Sequence, residues 1–141
     1  MVVVQSLWVG NDLTDMEKYC FTPLLKIGKE IKRRFPNVPI IAFPRGIGGG
    51  YARFADMTEF SALALDQSVP VNWAKGLQEK VVIQGNLDPI HLVTGGKKLK
   101  AEVNHILDNF KTKPFIFNLG HGITPDATIK NVELLIEYVR N

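Results

Sequence analysis

Short apolar runs alternate with amphipathic stretches five times along this chain, and that rhythm restricts its fold more than any other feature. Residues 2–8 are strand-like, and residues 15–35 place Phe21, Leu24, Leu25, Ile27 and Ile31 at helical spacing. Thr14 followed by Glu17 is a capping-box pattern for that helix, and Pro36 ends it. Further strands are predicted at 38–43, 60–65, 115–118 and from 81–83 into 84–89. Helices are predicted at 51–57, 71–78, 97–110 and 129–139. In the helix over 97–110, Leu99, Val103, Ile106, Leu107 and Phe110 share one side. Strand-then-helix units in succession require parallel strands joined by crossovers, so the fold class is α/β.

No linker or low-complexity stretch interrupts the rhythm, and 141 residues at 45% hydrophobic suit a single core. Residues 1–141 therefore read as one domain. Five units fit an open doubly wound sheet or part of a (β/α)8 barrel, which takes about 250 residues when closed. The pattern leaves both open.

The formal charge is +3, but the cations are scattered. The densest group, Lys29, Lys32, Arg33 and Arg34, falls at a helix C-terminus, where the helix dipole favours it. This argues weakly for an anionic small ligand and against nucleic acid. Cys20 is alone, so neither a disulfide framework nor a cysteine metal cluster can form within the chain, and a reducing, cytoplasmic setting is expected. No apolar run approaches the roughly 18 residues of a membrane span, and Met1-Val2-Val3-Val4 has no basic lead or cleavage site.

Several segments invite a chemical reading. Arg45-Gly46-Ile47-Gly48-Gly49-Gly50 sits where a dinucleotide fingerprint would, but the pattern needs glycine at Tyr51, and no acidic residue closes the following strand until Asp66. It reads as a flexible βα loop, with Arg45 available for a carboxylate. Asn86 and Asp88 in Gln84-Gly85-Asn86-Leu87-Asp88-Pro89 suit either ligand contact or turn capping, and Asp66 either function or capping. His91 and His105 have no partner at metal-ligand spacing, and no serine sits in a G-x-S-x-G elbow.

The segment Phe117-Asn118-Leu119-Gly120-His121-Gly122-Ile123-Thr124-Pro125-Asp126 is more pointed. It puts one histidine between glycines where a buried strand ends. Gly120 and Gly122 allow close backbone approach or positive φ, and Pro125 with Asp126 reads as the turn or cap before a helix. In parallel α/β proteins, groups at the carboxyl ends of strands line the ligand site. His121 is the candidate binding residue.

Three stretches together resemble the C-terminal part of the uroporphyrinogen decarboxylase family: residues 81–89, residues 117–123, and the tail Asn131-Val132-Glu133-Leu134-Leu135-Ile136. Pro39-Ile40-Ile41-Ala42-Phe43 and Ala64-Leu65-Asp66 match in the same order, so the likeness runs from about Trp8 to the end. It implies that these β/α units form the C-terminal portion of a (β/α)8 TIM barrel, in a family of homodimers. It also implies decarboxylation of the four acetate side chains of uroporphyrinogen III to give coproporphyrinogen III, in haem biosynthesis, with no metal or organic cofactor. On the family's pattern His121 is the substrate-contacting histidine. The related methylcobalamin:coenzyme M methyltransferases share the fold but bind zinc through His and Cys, which a chain with Cys20 alone does not match.

Two departures follow from the same resemblance. The family's Asp-Ser-Trp-Ala-Gly stretch corresponds to Ser6-Leu7-Trp8-Val9-Gly10, so Leu7 falls at the substrate-binding serine, and Ser6 would point to the other face of the strand. The N-terminal half, with its pyrrole-binding aspartate, arginines and tyrosine, has no counterpart here. The expectation is a chain inactive alone, which self-associates or pairs with a separate N-terminal half. The alternative is a non-catalytic remnant or interaction protein that keeps the partial barrel.

Overall fold

The computed structural model describes residues 1–8, 10 and 12–141; Val9, within the stretch aligned to the family's serine segment, lies outside the described residues. Five parallel strands, β1 (Val2–Leu7), β2 (Ile40–Arg45), β3 (Ala62–Ala64), β4 (Val82–Leu87) and β5 (Phe115–Leu119), lie side by side in chain order. That order decides between the two architectures. A doubly wound sheet reverses direction at a switch point, whereas here every crossover steps the same way. Right-handed crossovers stepping one way put all helices on one face, which is how a barrel wall is built.

The helices are α1 (Leu13–Met16), α2 (Thr22–Arg34), α3 (Tyr51–Ala55), α4 (Val71–Gln78), α5 (Pro89–Thr94), α6 (Gly96–Phe110) and α7 (Ile129–Arg140). A π-helical turn, Glu17–Phe21, joins α1 to α2. Asp12, not a Thr14–Glu17 box, caps α1: its carboxylate accepts from the Thr14 N–H at 2.6 Å, and Glu17 instead pairs with Arg53.

β2 begins two residues later than the sequence predicts, because Val38 is still turning, its N–H donating to the Phe35 carbonyl. The strand also runs two residues further, through Pro44. A proline is tolerated there because the register with β3 ends earlier, at Ala42↔Leu63. The sequence reads Asp88 as ligand contact or turn cap and does not predict α5. Asp88-Pro89 is in fact an N-cap followed by proline at the first helical position, with the Asp88 carboxylate accepting from the Ile90 N–H at 2.9 Å. α7 starts from Thr128, whose hydroxyl accepts from the Asn131 N–H, so Asp126 belongs to the preceding turn.

Side chains alternate across the sheet. Val4, Ile40, Ala42, Leu63, Leu65, Ile83 and Leu87 face the helices and join Phe21, Phe54, Leu99, Val103 and Phe110 in the main core. Ile41, Ala62 and Ala64, with Phe43 and Val82 against them, form a separate small cluster on the concave face. β1 and β5 are not paired to each other, so both edges of the sheet are open.

Candidate functional site

The register sorts the concave face into rows. Val3, Ile41, Ala62 and Val82 align lowest, then Gln5 and Phe43, with Ala64 opposite Gln84 and Gln84 opposite Ile116. Toward the carboxyl ends, Leu7 aligns with Arg45 and Asn86 with Asn118. The face is therefore aliphatic at the bottom and carries Arg45, Asn86 and Asn118 alongside Leu7 at the mouth. This is where parallel β/α proteins place ligands.

His121 stands just past the carboxyl end of β5, exposed. It borders an open groove of about 610 Å³ at the free edge of β5, shared with Phe43, Ala64, Gln84 and Asn118 of the sheet and with Val132, Leu135 and Arg140 of α7. A second cleft of about 550 Å³, bordered by Gln67, Asp88, Thr124 and Asp126, meets the first at His121. The Gly122 N–H points at His121 Nδ1, so Nε2 is the ring nitrogen not engaged by the neighbouring backbone. The imidazole thus keeps a polar atom available to a ligand in the groove.

The two flanking glycines differ. A Cβ on Gly120 would run into the backbone at Gln67, while its N–H donates to the Leu87 carbonyl at 2.7 Å. Gly120 therefore lets the end of β5 settle against the loop after β3. Gly122 has open space where a Cβ would be and does not adopt positive φ, so neither reason offered for a glycine there applies.

Asp66 is 3% exposed, and its carboxylate is fully engaged by the scaffold. It accepts from the Gly46 N–H at 2.8 Å, the Tyr51 hydroxyl at 2.9 Å and the Ser68 N–H at 2.9 Å, with the Ser68 hydroxyl beside it. The Tyr51 oxygen also accepts from the Asp66 N–H at 3.1 Å. Burial pushes the Asp66 carboxyl upward, but the bonds from Ser68, Gly46 and Tyr51 outweigh it and hold the group below its usual range. Burial, with the charge of Asp66 alongside, pushes the Tyr51 phenol well above its usual range, so it stays a donor.

Asp66 is thus a brace rather than a ligand group, and it turns the expected flexible glycine loop into an anchored one. Gly46 takes φ +82°, where a side chain would also meet the Trp8 carbonyl. Tyr51 escaped the sequence reading because only the folded register brings it to Asp66.

Asn86, 6% exposed, is a second brace. Its amide donates to the Val69 carbonyl at 2.8 Å and the Asp66 carbonyl at 3.3 Å. Ser6 faces the helices, where its hydroxyl meets Cys20 Sγ at 3.0 Å, and Leu7 faces the concave side. Ser6 therefore cannot take over the position that Leu7 occupies. His105 lies on the outer surface of α6 beside Asn109, and His91 lies on α5, away from His121's groove.

A family model described as uroporphyrinogen decarboxylase (URO-D) matches residues 12–141. The chain is 46% identical over 140 residues to uroporphyrinogen decarboxylase of Chelativorans sp. (strain BNC1), covering 99% of this chain and 41% of that protein. Against the Rhodobacter capsulatus protein of the same name it is 48% identical over 136 residues, 94% of this chain and 40% of the relative. It thus spans about two fifths of the length of these curated relatives. Among solved structures, a methyltransferase from Methanosarcina mazei superposes with TM-score 0.75 over 98% of this chain and 41% of its own, at 19% identity, a likeness of fold.

Proposed function

The chain belongs to the uroporphyrinogen decarboxylase family, and on that premise we propose that it supplies the C-terminal wall of a decarboxylase barrel whose mouth grips uroporphyrinogen III through His121. The observation that supports this reading is that His121 stands just past the carboxyl end of β5 and borders the groove that also takes in Gln84 and Asn118. The reaction served is conversion to coproporphyrinogen III in haem biosynthesis. A proton added to a pyrrole carbon makes the ring an electron sink. The bond from the acetate methylene to its carboxylate then breaks, the electron pair moves into the ring, and carbon dioxide leaves. Protonation of the exocyclic methylene gives a methyl group, and loss of the first proton restores the pyrrole.

In such a site the protein contributes positioning and charge stabilisation. Alone, this chain has His121 without the pyrrole-binding aspartate and arginine clamp of the family's N-terminal half, and losing such preorganised groups costs orders of magnitude each. The chain by itself is therefore inactive. The open edges of β1 and β5 and the exposed concave face supply the reason to associate, either as a homodimer or with a separate N-terminal half, in a reducing cytoplasm. The test is incubation of the pure protein with uroporphyrinogen, alone and with the N-terminal part of the Rhodobacter capsulatus relative. Coproporphyrinogen above a no-protein blank in the first arm refutes inactivity, and activity restored in the second supports the barrel-wall role.

Leu7 at the family's serine position favours a second reading, a non-catalytic remnant or interaction protein. Under that reading the second arm stays inactive, and replacing Leu7 with serine does not rescue it.

A further inference from the structure

We infer that Arg45 is a second carboxylate anchor at the mouth, on a different strand from His121; the inference rests on the reading that this mouth receives a tetrapyrrole polycarboxylate. Arg45 is the last residue of β2. It follows Ile41 and Phe43 in the alternation that places side chains on the concave face, and it aligns with inward-facing Leu7 of β1. Strand ends with this orientation supply ligand-binding groups in parallel barrels.

What singles it out is that, among the residues of the five strands, it is the only cation, and it has no partner. Arg33, Arg34 and Arg53, and Lys29, Lys80, Lys111 and Lys113, are all ion-paired to carboxylates on the outer surface. Arg45, half-buried, makes no ion pair or side-chain hydrogen bond with any described residue. The acid at the carboxyl end of the neighbouring strand is Asp66, just past β3, and its oxygens already accept from Gly46, Tyr51 and Ser68. The fold has thus taken the obvious counter-ion out of play and fixed the backbone on either side of Arg45. The Gly46 N–H is bonded to Asp66, and the Arg45 carbonyl accepts from the Trp8 N–H at 2.9 Å. A guanidinium held this way presents its planar fork to a carboxylate arriving from the concave side.

The test is a titration of the full chain followed at the Arg45 Nε–Hε resonance, with uroporphyrin and separately with mellitate, a compact benzene polycarboxylate. Both are expected to shift that resonance. Arg45→Ala should weaken uroporphyrin binding about tenfold with an unchanged melting curve, and Arg45→Lys should recover only part of the loss. If uroporphyrin perturbs His121 but leaves Arg45 unmoved, the anchor is overturned while the tetrapyrrole reading stands. If mellitate engages Arg45 and uroporphyrin engages neither residue, the anchor stands and the tetrapyrrole reading falls. If neither ligand moves Arg45, the anchor is overturned.

Discussion

On the central strands both faces are buried, Ile40 and Ala42 under the helices and Ile41, Ala62 and Ala64 in their own cluster on the concave side. On edge strand β1, by contrast, Val4 is buried under the helices while Val3 and Leu7 on the concave side stand 50% and 57% exposed. The three β1 residues are all apolar and lie on one strand. The difference is in what covers them. Crossovers stepping one way bring every helix to one face, so that face is completed by local chain. The concave face of a barrel wall is completed only by strands from across the barrel, and its open edges mark where they would join. One side of this chain can therefore carry stability alone, while the other carries binding groups.

The largest expected effect comes from cutting into the helix side. Phe54 is fully buried, stacked on Phe21 at 4.7 Å between ring centroids and tilted against Phe60 at 5.8 Å. Phe54→Ala should cost about 3–5 kcal/mol in urea unfolding, or abolish the cooperative transition. A loss below about 1 kcal/mol would mean that this layer does not hold the wall, and the contrast between faces would fail.

A smaller effect is expected at the boundary between the two faces, where Asp66 ties the glycine loop to the end of β3. Asp66→Asn keeps the shape but presents an amide N–H₂ to groups that donate, Gly46 N–H and the Tyr51 hydroxyl. It should cost about 2 kcal/mol. The pH dependence has a definite sign. Because the folded carboxyl titrates below the usual 3.8, its contribution is complete above that value and is lost as the pH falls through the lower folded one. The native chain should lose stability on acidification below about pH 4, and Asp66→Asn should lack that part of the loss. Parallel acid limbs in the two proteins would show that Asp66 is not ionised in the fold.

How much of this was legible in the sequence differs by level. Local periodicity located α4 at residues 71–78 and α6 to within one residue, since each carries its own apolar stripe. Strand order was not legible, because period-two alternation is the same in a doubly wound sheet and a barrel wall. Only the direction of the crossovers separates them. α5 was hidden because Asp-Pro marks turns and helix starts alike, and only the Ile90 N–H on Asp88 decides. At the site, the flanking glycines and strand end pointed to His121. Asp66 suits function or capping equally in the sequence, and only the fold brings Tyr51 and Gly46 onto its carboxylate.

The smallest expected effect lies on the concave face, and it tests the comparison most sharply. Leu7 projects from β1 into open space, while Val4, on the same strand, is buried under the helices. Serine at position 4 removes a buried side chain and sets a hydroxyl among Leu63 and its neighbours, a change worth about 2 kcal/mol or more. Serine at position 7 removes surface that water already touches, so the melting curve of dilute protein should move by no more than about 0.5 kcal/mol. The same Leu7→Ser change should reduce self-association in sedimentation if apolar residues of this face make the contact. If Leu7→Ser proves as costly as Val4→Ser even at high dilution, the concave face is covered in solution. A tight second copy of the chain then completes this wall.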